Sequence, residues 1–229
     1  MGLSLSYWVL IGAIALIGFL VQSQFRSKFR KYGQVALSNG MTGAQVAASM
    51  LQHYSIHDVS IVEGQGALTD HYNPGTKTIA LSPEVFHGRS VAAASVAAHE
   101  CGHAVQHETQ YGALKLRSAI VPVVKIAAIA QQWGFLAAIM LAGSMPQLLL
   151  IVIVAMAITT LFSLITLPVE FDASRRALVW LDDTGTTRGM EYDYAKDSLK
   201  WAAMTYLVAA LSSVAMLVYF VLSYLGSRD

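Results

Sequence analysis

A chain that crosses a lipid bilayer has few folds open to it, because every backbone N–H and C=O inside the hydrocarbon must be bonded within the protein. Residues 3–21 of this sequence impose that condition, running from Leu3 to Val21 with only Ser4 and Ser6 interrupting the apolar run. At about 1.5 Å per residue the run is long enough to cross a hydrocarbon core about 30 Å thick. Further apolar stretches occupy 118–142, 147–167 and 203–225. The expected fold is therefore an α-helical integral membrane protein with four transmembrane helices. A chain that is 55% hydrophobic and 13% charged fits that class and no ordinary soluble domain. A net charge of +1 offers no basic excess for nucleic acid, which is excluded as a partner. A single cysteine, Cys101, rules out an internal disulfide framework.

Positive charge orients the segments. Arg26, Lys28, Arg30 and Lys31 follow the first apolar run, and no A-x-A cleavage pattern accompanies it. A secretory signal has its charge ahead of the apolar run, so this one is expected to stay attached with its N-terminus outside. Every Lys and Arg except Arg228 lies in the first loop, the third loop or the adjoining end of the second span, and the outer turn Gly143 to Gln147 has none. The expected organisation is a transmembrane segment over 1–25, a cytoplasmic catalytic segment over 26–117 and a transmembrane hairpin over 118–168. A cytoplasmic helical segment over 169–202 and a last transmembrane segment over 203–229 complete it. The second span carries Pro122, Lys125, Gln131 and Gln132, and Lys125 is expected to snorkel toward the headgroups.

In the first loop, Thr42 ahead of Ala47, Met50, Leu51 and Tyr54 at helical spacing predicts a capped helix packed on the sheet that follows. The runs 59–62, 66–70 and 77–82 are β-prone, with HYNPGT as the turn before KTIALS, and predict a small antiparallel meander. Ser90 then caps the Ala-rich helix VAAASVAAHECGHAVQHE.

That helix carries His99-Glu100-Cys101-Gly102-His103. Histidines at i and i+4 stand on one face, one turn apart, where both can reach one Zn²⁺. Glu100 then flanks a zinc-bound water as general base, and the expected reaction is metal-assisted peptide hydrolysis. Gly102 inside a helix costs about 1 kcal/mol against Ala, so another element should approach it closely. A further protein ligand is needed. His107 lies too far round the helix for easy sharing, and Gln106 and Thr109 stand where a metzincin needs Gly and His. Glu170, in LPVEFDASRRAL after the third span, is separated from His103 by an even number of crossings and so returns to the same side. The competing reading of Glu170 is a first-turn acid in a helix that opens at Pro168, favoured by the dipole by about 0.3–1 kcal/mol.

HECGH on its Ala-rich helix, LTDHYNP and LSPEVFHGRSVAAASVAAHE before it, and LPVEFDASRRAL after a membrane hairpin resemble the YugP-type neutral zinc metallopeptidases of bacterial membranes. The resemblance covers nearly the whole chain from Thr42 onward. It implies a membrane-embedded, gluzincin-like peptidase with a small α+β zincin-like domain. Zinc would be held by His99, His103 and Glu170, with Glu100 as base. The chain is more distantly similar to membrane peptidases of the prenyl-protein and heat-shock quality-control type, in which the ligand Glu opens an E-x-x-x-D turn. Here Ser174 occupies the fifth position and Asp172 is the nearest acid, which leaves open what orients the first histidine.

The remaining residues have plainer expectations. Cys101 points away from the metal as a buried thiol, and His53 and His57 straddle a helix end as solvated side chains. Asp70, His71 and Tyr72 read as turn chemistry, with an oxyanion role for His71 or Tyr72 as the alternative. Arg175 and Arg176 read as interface charges, and Trp133, Trp180 and Trp201 as interfacial anchors. KTIALS is expected to offer an edge on which an extended substrate adds as a strand. The expected partners are a protein or peptide substrate and the lipid bilayer, with room for a membrane partner subunit or a homo-oligomer. The competing function is a catalytically silent membrane scaffold that retains a structural zinc.

Overall fold

The long helices do not stop where the apolar sequence stops. The computed structural model describes residues 5–140 and 146–226. In chain order it contains α1 (Leu5–Gly33), α2 (Gly43–His53), β1 (Ser60–Glu63), β2 (His71–Asn73), β3 (Thr78–Leu81) and α3 (Pro83–Phe86). These are followed by α4 (Val91–Glu108), α5 (Gly112–Met140), α6 (Pro146–Asp183) and α7 (Met190–Leu225). The expected outer turn falls mostly on residues 143–145, which lie outside the described residues. Among the described residues three helices are long and apolar enough to cross a membrane: Leu5–Gly33, Gln147–Asp183 and Met190–Leu225. The expected second span is a continuous helix, α5, interrupted by Pro122, Lys125, Gln131 and Gln132, and is not one of the three.

The chain divides into two compact units, one of Met1–Leu20, Leu116–Leu167 and Tyr206–Asp229, the other of Val21–Lys115 and Pro168–Thr205. The first is held by Tyr7, Val152, Ile153, Met156 and Phe220. The Phe135 and Phe220 rings meet edge to face at 5.7 Å, a geometry that favours the positive ring edge against a negative face. Gln131 is matched inside this unit, since Thr159 Oγ1 donates to its amide oxygen at 3.1 Å. Leu5, Trp8, Phe19, Ile126 and Leu222 stand exposed, an arrangement suited to lipid rather than water.

The second unit carries the HExxH helix. Thr42 and Gln45 form a reciprocal capping box at the start of α2, typically worth about 1 kcal/mol. Ser90 caps α4 by accepting from Ala93 N at 3.2 Å. Contrary to expectation, α2 packs mainly against α4 and only lightly against the sheet. Val46, Ala47, Met50 and Leu51 are buried with Ala94, Ala97, Ala98 and Cys101. The small side chains of α4 let α2 approach closely on one side, while Ala177, Trp180 and Leu181 of α6 join the same core. Trp180 is thus a core residue, 1% exposed, and not an interfacial anchor. The end of α1 is tied to the start of α7 by a Tyr32–Tyr194 stack at 4.9 Å and a Lys28–Asp197 ion pair at 2.8 Å.

The sheet corrects the expected meander. Its order is β1-β3-β2, with β1 parallel to β3 and β2 antiparallel to β3. Residues 66–70 form no strand. They belong to the loop that carries the chain from β1 past β3 to the far edge, where Gly66 and Leu68 adopt positive φ. The first residues of HYNPGT are β2 itself, and the hairpin closes through Asn73, whose side-chain oxygen accepts from Gly75 N at 2.9 Å. KTIALS is therefore the central strand, its Ile79, Ala80 and Leu81 buried and both its edges paired. It has no edge for a substrate strand. A strand that is apolar from Ile79 to Leu81 suits that central place, and the mostly exposed β1 suits an edge.

Candidate metal centre

The helix α4 presents His99 and His103 one turn apart, with ring centroids 4.8 Å apart and planes at 80°. Glu170 comes from α6. Its Oε2 lies 3.3 Å from His99 Nε2 and 3.6 Å from His103 Nε2. The three ligating atoms lie within 4.8 Å of one another, and this is the group of His, Cys, Asp and Glu side chains among the described residues that could hold a metal ion. Glu170 is 2% exposed. The helix does not restart at Pro168 but runs through it, so Glu170 sits far from any helix N-terminus and the first-turn dipole reading has no basis.

What brings the two helices together is Gly102. A Cβ there would lie 2.5 Å from the carbonyl oxygen of Ala173, closer than any methyl tolerates. The close approach expected at Gly102 is thus made by α6, in the turn that follows Glu170. Gly102→Ala is expected to force α4 and α6 apart, with a stability loss of about 1–3 kcal/mol. It should melt earlier than wild type and release zinc to a chelator sooner. An unchanged melt and unchanged release would mean that the contact is not critical.

Both imidazoles are held from behind. His99 Nδ1 meets Ser174 Oγ at 3.1 Å and His103 Nδ1 meets Gln106 Oε1 at 3.0 Å. With the Nδ1 atoms engaged, the Nε2 atoms face the Glu170 carboxylate. Burial opposes a positive charge on His103, but hydrogen bonding to Glu170 and the nearby carboxylates outweigh it and raise its pKa. The pocket draws a cation. Two imidazole nitrogens and one carboxylate oxygen form a donor set that fits zinc and leaves a fourth position open, as catalytic zinc sites require. Glu100, next along α4, is 7% exposed.

The other candidates fall outside this group. His107 shares a 2.7 Å hydrogen bond with the Tyr72 hydroxyl, and burial, then Asp58 and Glu108, push the Tyr72 pKa up to about 12. His71 Nδ1 sits 2.8 Å from Thr69 O on the surface. Asp70 does more than turn chemistry, accepting from Ser82 N at 2.7 Å and so pinning the start of α3. Cys101 is wholly buried, its thiol directed at Ala47 O at 3.5 Å and its pKa pushed up by burial. His53 and His57 are exposed and separated by the end of α2. Arg175 and Arg176 both bind Asp172, at 2.5 and 2.6 Å.

Gln106 escaped the sequence reading as a functional residue, since it registered only as a break in the metzincin pattern. Its spacing of three from His103 on a helix is the signal that could have found it. Ser174 stood at the correct fifth position of the Glu170 turn, but a hydroxyl there did not identify itself as an imidazole partner.

Residues 7–225 match the model of the family described as "Putative neutral zinc metallopeptidase". The chain is 43% identical over 218 residues to a protein of Bacillus subtilis (strain 168) named "Putative membrane protease YugP", an alignment covering 94% of this chain and 96% of that one. No solved structure matches the chain. With nearly the whole sequence matched at this identity, and a two-histidine, one-glutamate cluster of the kind zinc requires, the chain belongs to the neutral zinc metallopeptidase family.

Proposed function

We propose that the chain is a membrane-embedded, gluzincin-like zinc endopeptidase in which His99, His103 and Glu170 hold the metal and Glu100 is the general base. The observation that carries this reading is the meeting of three ligating atoms from α4 and α6 within 4.8 Å. Zinc, when bound, supplies the Lewis acidity that polarises a peptide carbonyl and acidifies water. Glu100, adjacent to a ligand on the same helix, takes the proton from the attacking water and can return it to the leaving amine. Glu170, buried and facing both imidazoles, holds its charge where it also balances the metal. Gly102 keeps the helix bearing Glu100 pressed against the helix bearing Glu170.

The proposed substrates are proteins or peptides, cut near the bilayer. In this reading α5 supplies a fourth crossing, the segments 26–117 and 169–202 face the cytoplasm, and both termini lie outside a bacterial inner membrane. The distribution of Lys and Arg supports that orientation. The test is cleavage of an unfolded protein by detergent-purified chain. A chelator is expected to abolish cleavage and added zinc to restore it. Cleavage indifferent to the chelator would remove the reading, and zinc bound without any cleavage would favour the scaffold instead.

A further inference from the structure

Gln106 is wholly buried, on the same face of α4 as His103, and both polar atoms of its amide are engaged. Its amide nitrogen donates to Val169 O at 2.8 Å and to Asp172 Oδ2 at 3.0 Å. Both of those atoms only accept, so the nitrogen must face them and the amide oxygen must face His103 Nδ1. An amide oxygen cannot donate. His103 must therefore carry a proton on Nδ1, so that the neutral ring, the form that binds a metal, has its lone pair on Nε2, the nitrogen that faces Glu170.

The same side chain touches α6 on either side of the third ligand, because Val169 and Asp172 flank Glu170 in sequence. Asp172 is in turn held by Arg175 and Arg176, and the Arg176 guanidinium lies 5.8 Å from the centre of the Tyr111 ring. Tyr111 N donates to Gln106 O at 2.8 Å, closing the circuit on Gln106 itself. His99 has no comparable linkage. Its partner Ser174 has a rotatable hydroxyl that can donate or accept, so it orients the ring without dictating the tautomer.

We infer that Gln106 is the positioning residue of the metal centre: it selects the His103 tautomer that leaves Nε2 free for zinc and fixes the Glu170 turn of α6 against α4. The inference rests on the zinc reading proposed above. Outer partners of this kind commonly change metal affinity about 10–100-fold.

Two substitutions separate positioning from mere filling of the core. Gln106→Met keeps the volume but removes both the acceptor and the donor. Gln106→Glu keeps an acceptor for His103 Nδ1 while losing the donor, and it sets a buried carboxylate against Asp172, so it should be the less stable of the two. Zinc affinity is measured by competition with a chromophoric chelator, and stability by thermal melting of the metal-free chain. The expected result is about 10–100-fold weaker zinc binding in Gln106→Met, with Gln106→Glu binding more tightly than Gln106→Met despite its lower melting point. Affinity that simply follows the melting points, or Gln106→Met binding zinc as wild type does, overturns the assignment.

A measurement on wild type stands apart from how the variants fold. In ¹⁵N-histidine NMR of the zinc-loaded chain, with His103→Ala used for assignment, His103 Nδ1 is expected to carry the proton and Nε2 to show the metal shift. Zinc on Nδ1 overturns the proposal. Wild-type chain that binds no zinc would instead bring down the metallopeptidase reading, whereas zinc-dependent cleavage with an indifferent Gln106→Met would sink only the role of Gln106.

Discussion

Glu100→Gln is expected to retain zinc and melt as wild type does while losing cleavage by roughly 10²–10⁴-fold, the range over which a positioned general base acts. The two side chains have nearly the same shape, so packing along α4 is undisturbed. Glutamine cannot accept and return a proton, and the loss should appear in turnover rather than in substrate affinity. Glu100 is not among the three side chains whose ligating atoms converge, which is why metal content should be spared. The measurement pairs zinc per chain with single-turnover cleavage. Glu100→Gln retaining wild-type turnover would take the base role away from Glu100, and parallel loss of zinc would make Glu100 part of the metal's support.

Glu170→Ala is expected to fail at the earlier step. It removes the one anionic donor of the cluster and leaves two neutral imidazoles, so zinc should be lost by more than the roughly 10–100-fold that an outer-shell change costs. A water taking the place of the carboxylate would bring no negative charge to the cation. Zinc per chain after dialysis against a weak chelator reads the effect directly. Retention equal to wild type would contradict a centre built from both α4 and α6 and would return His107 or Asp172 to consideration. The fold should survive, because the core residues Ala177, Trp180 and Leu181 lie further along α6 and do not depend on Glu170.

Local chemistry was the most legible part of the chain. The bounds of α4 follow from Ser90 and an Ala-rich run without proline, and those of α2 from Thr42, because capping is decided within a few residues. The pairing of His99 and His103 on one face could be anticipated from helical spacing, whereas Glu170 was reached through an expected even number of crossings that needs α5 as a span, and α5 is not among the three described helices apolar enough to cross. What could not be read was set by distant contacts. The sheet order β1-β3-β2 depends on the loop that carries the chain from β1 past β3, a placement that turn signals alone did not give, although the mainly apolar β3 suits the middle. Pro168 has a strong intrinsic tendency to end a helix, yet α6 continues through it, so local propensity misjudged that boundary. Trp180 looked interfacial from its place beside a span and is buried because it joins a core assembled from α2, α4, α6 and α7. Ser174 looks ordinary in sequence because its partner His99 is on another helix, and Gln106 because two of its three hydrogen bonds are to α6.

The three convergent donors stand on α4 and α6, and Gln106 is bonded to residues 63 and 66 positions further along the chain. That separation has a temporal meaning. A ribosome making this chain completes HECGH, and then all of α5 and the apolar part of α6, before residue 170 exists. The three-donor set cannot assemble on a chain that ends before residue 170, so it is completed only after α5 and the apolar part of α6 have been made. A truncation arising from interrupted synthesis would carry the HExxH motif without its third donor.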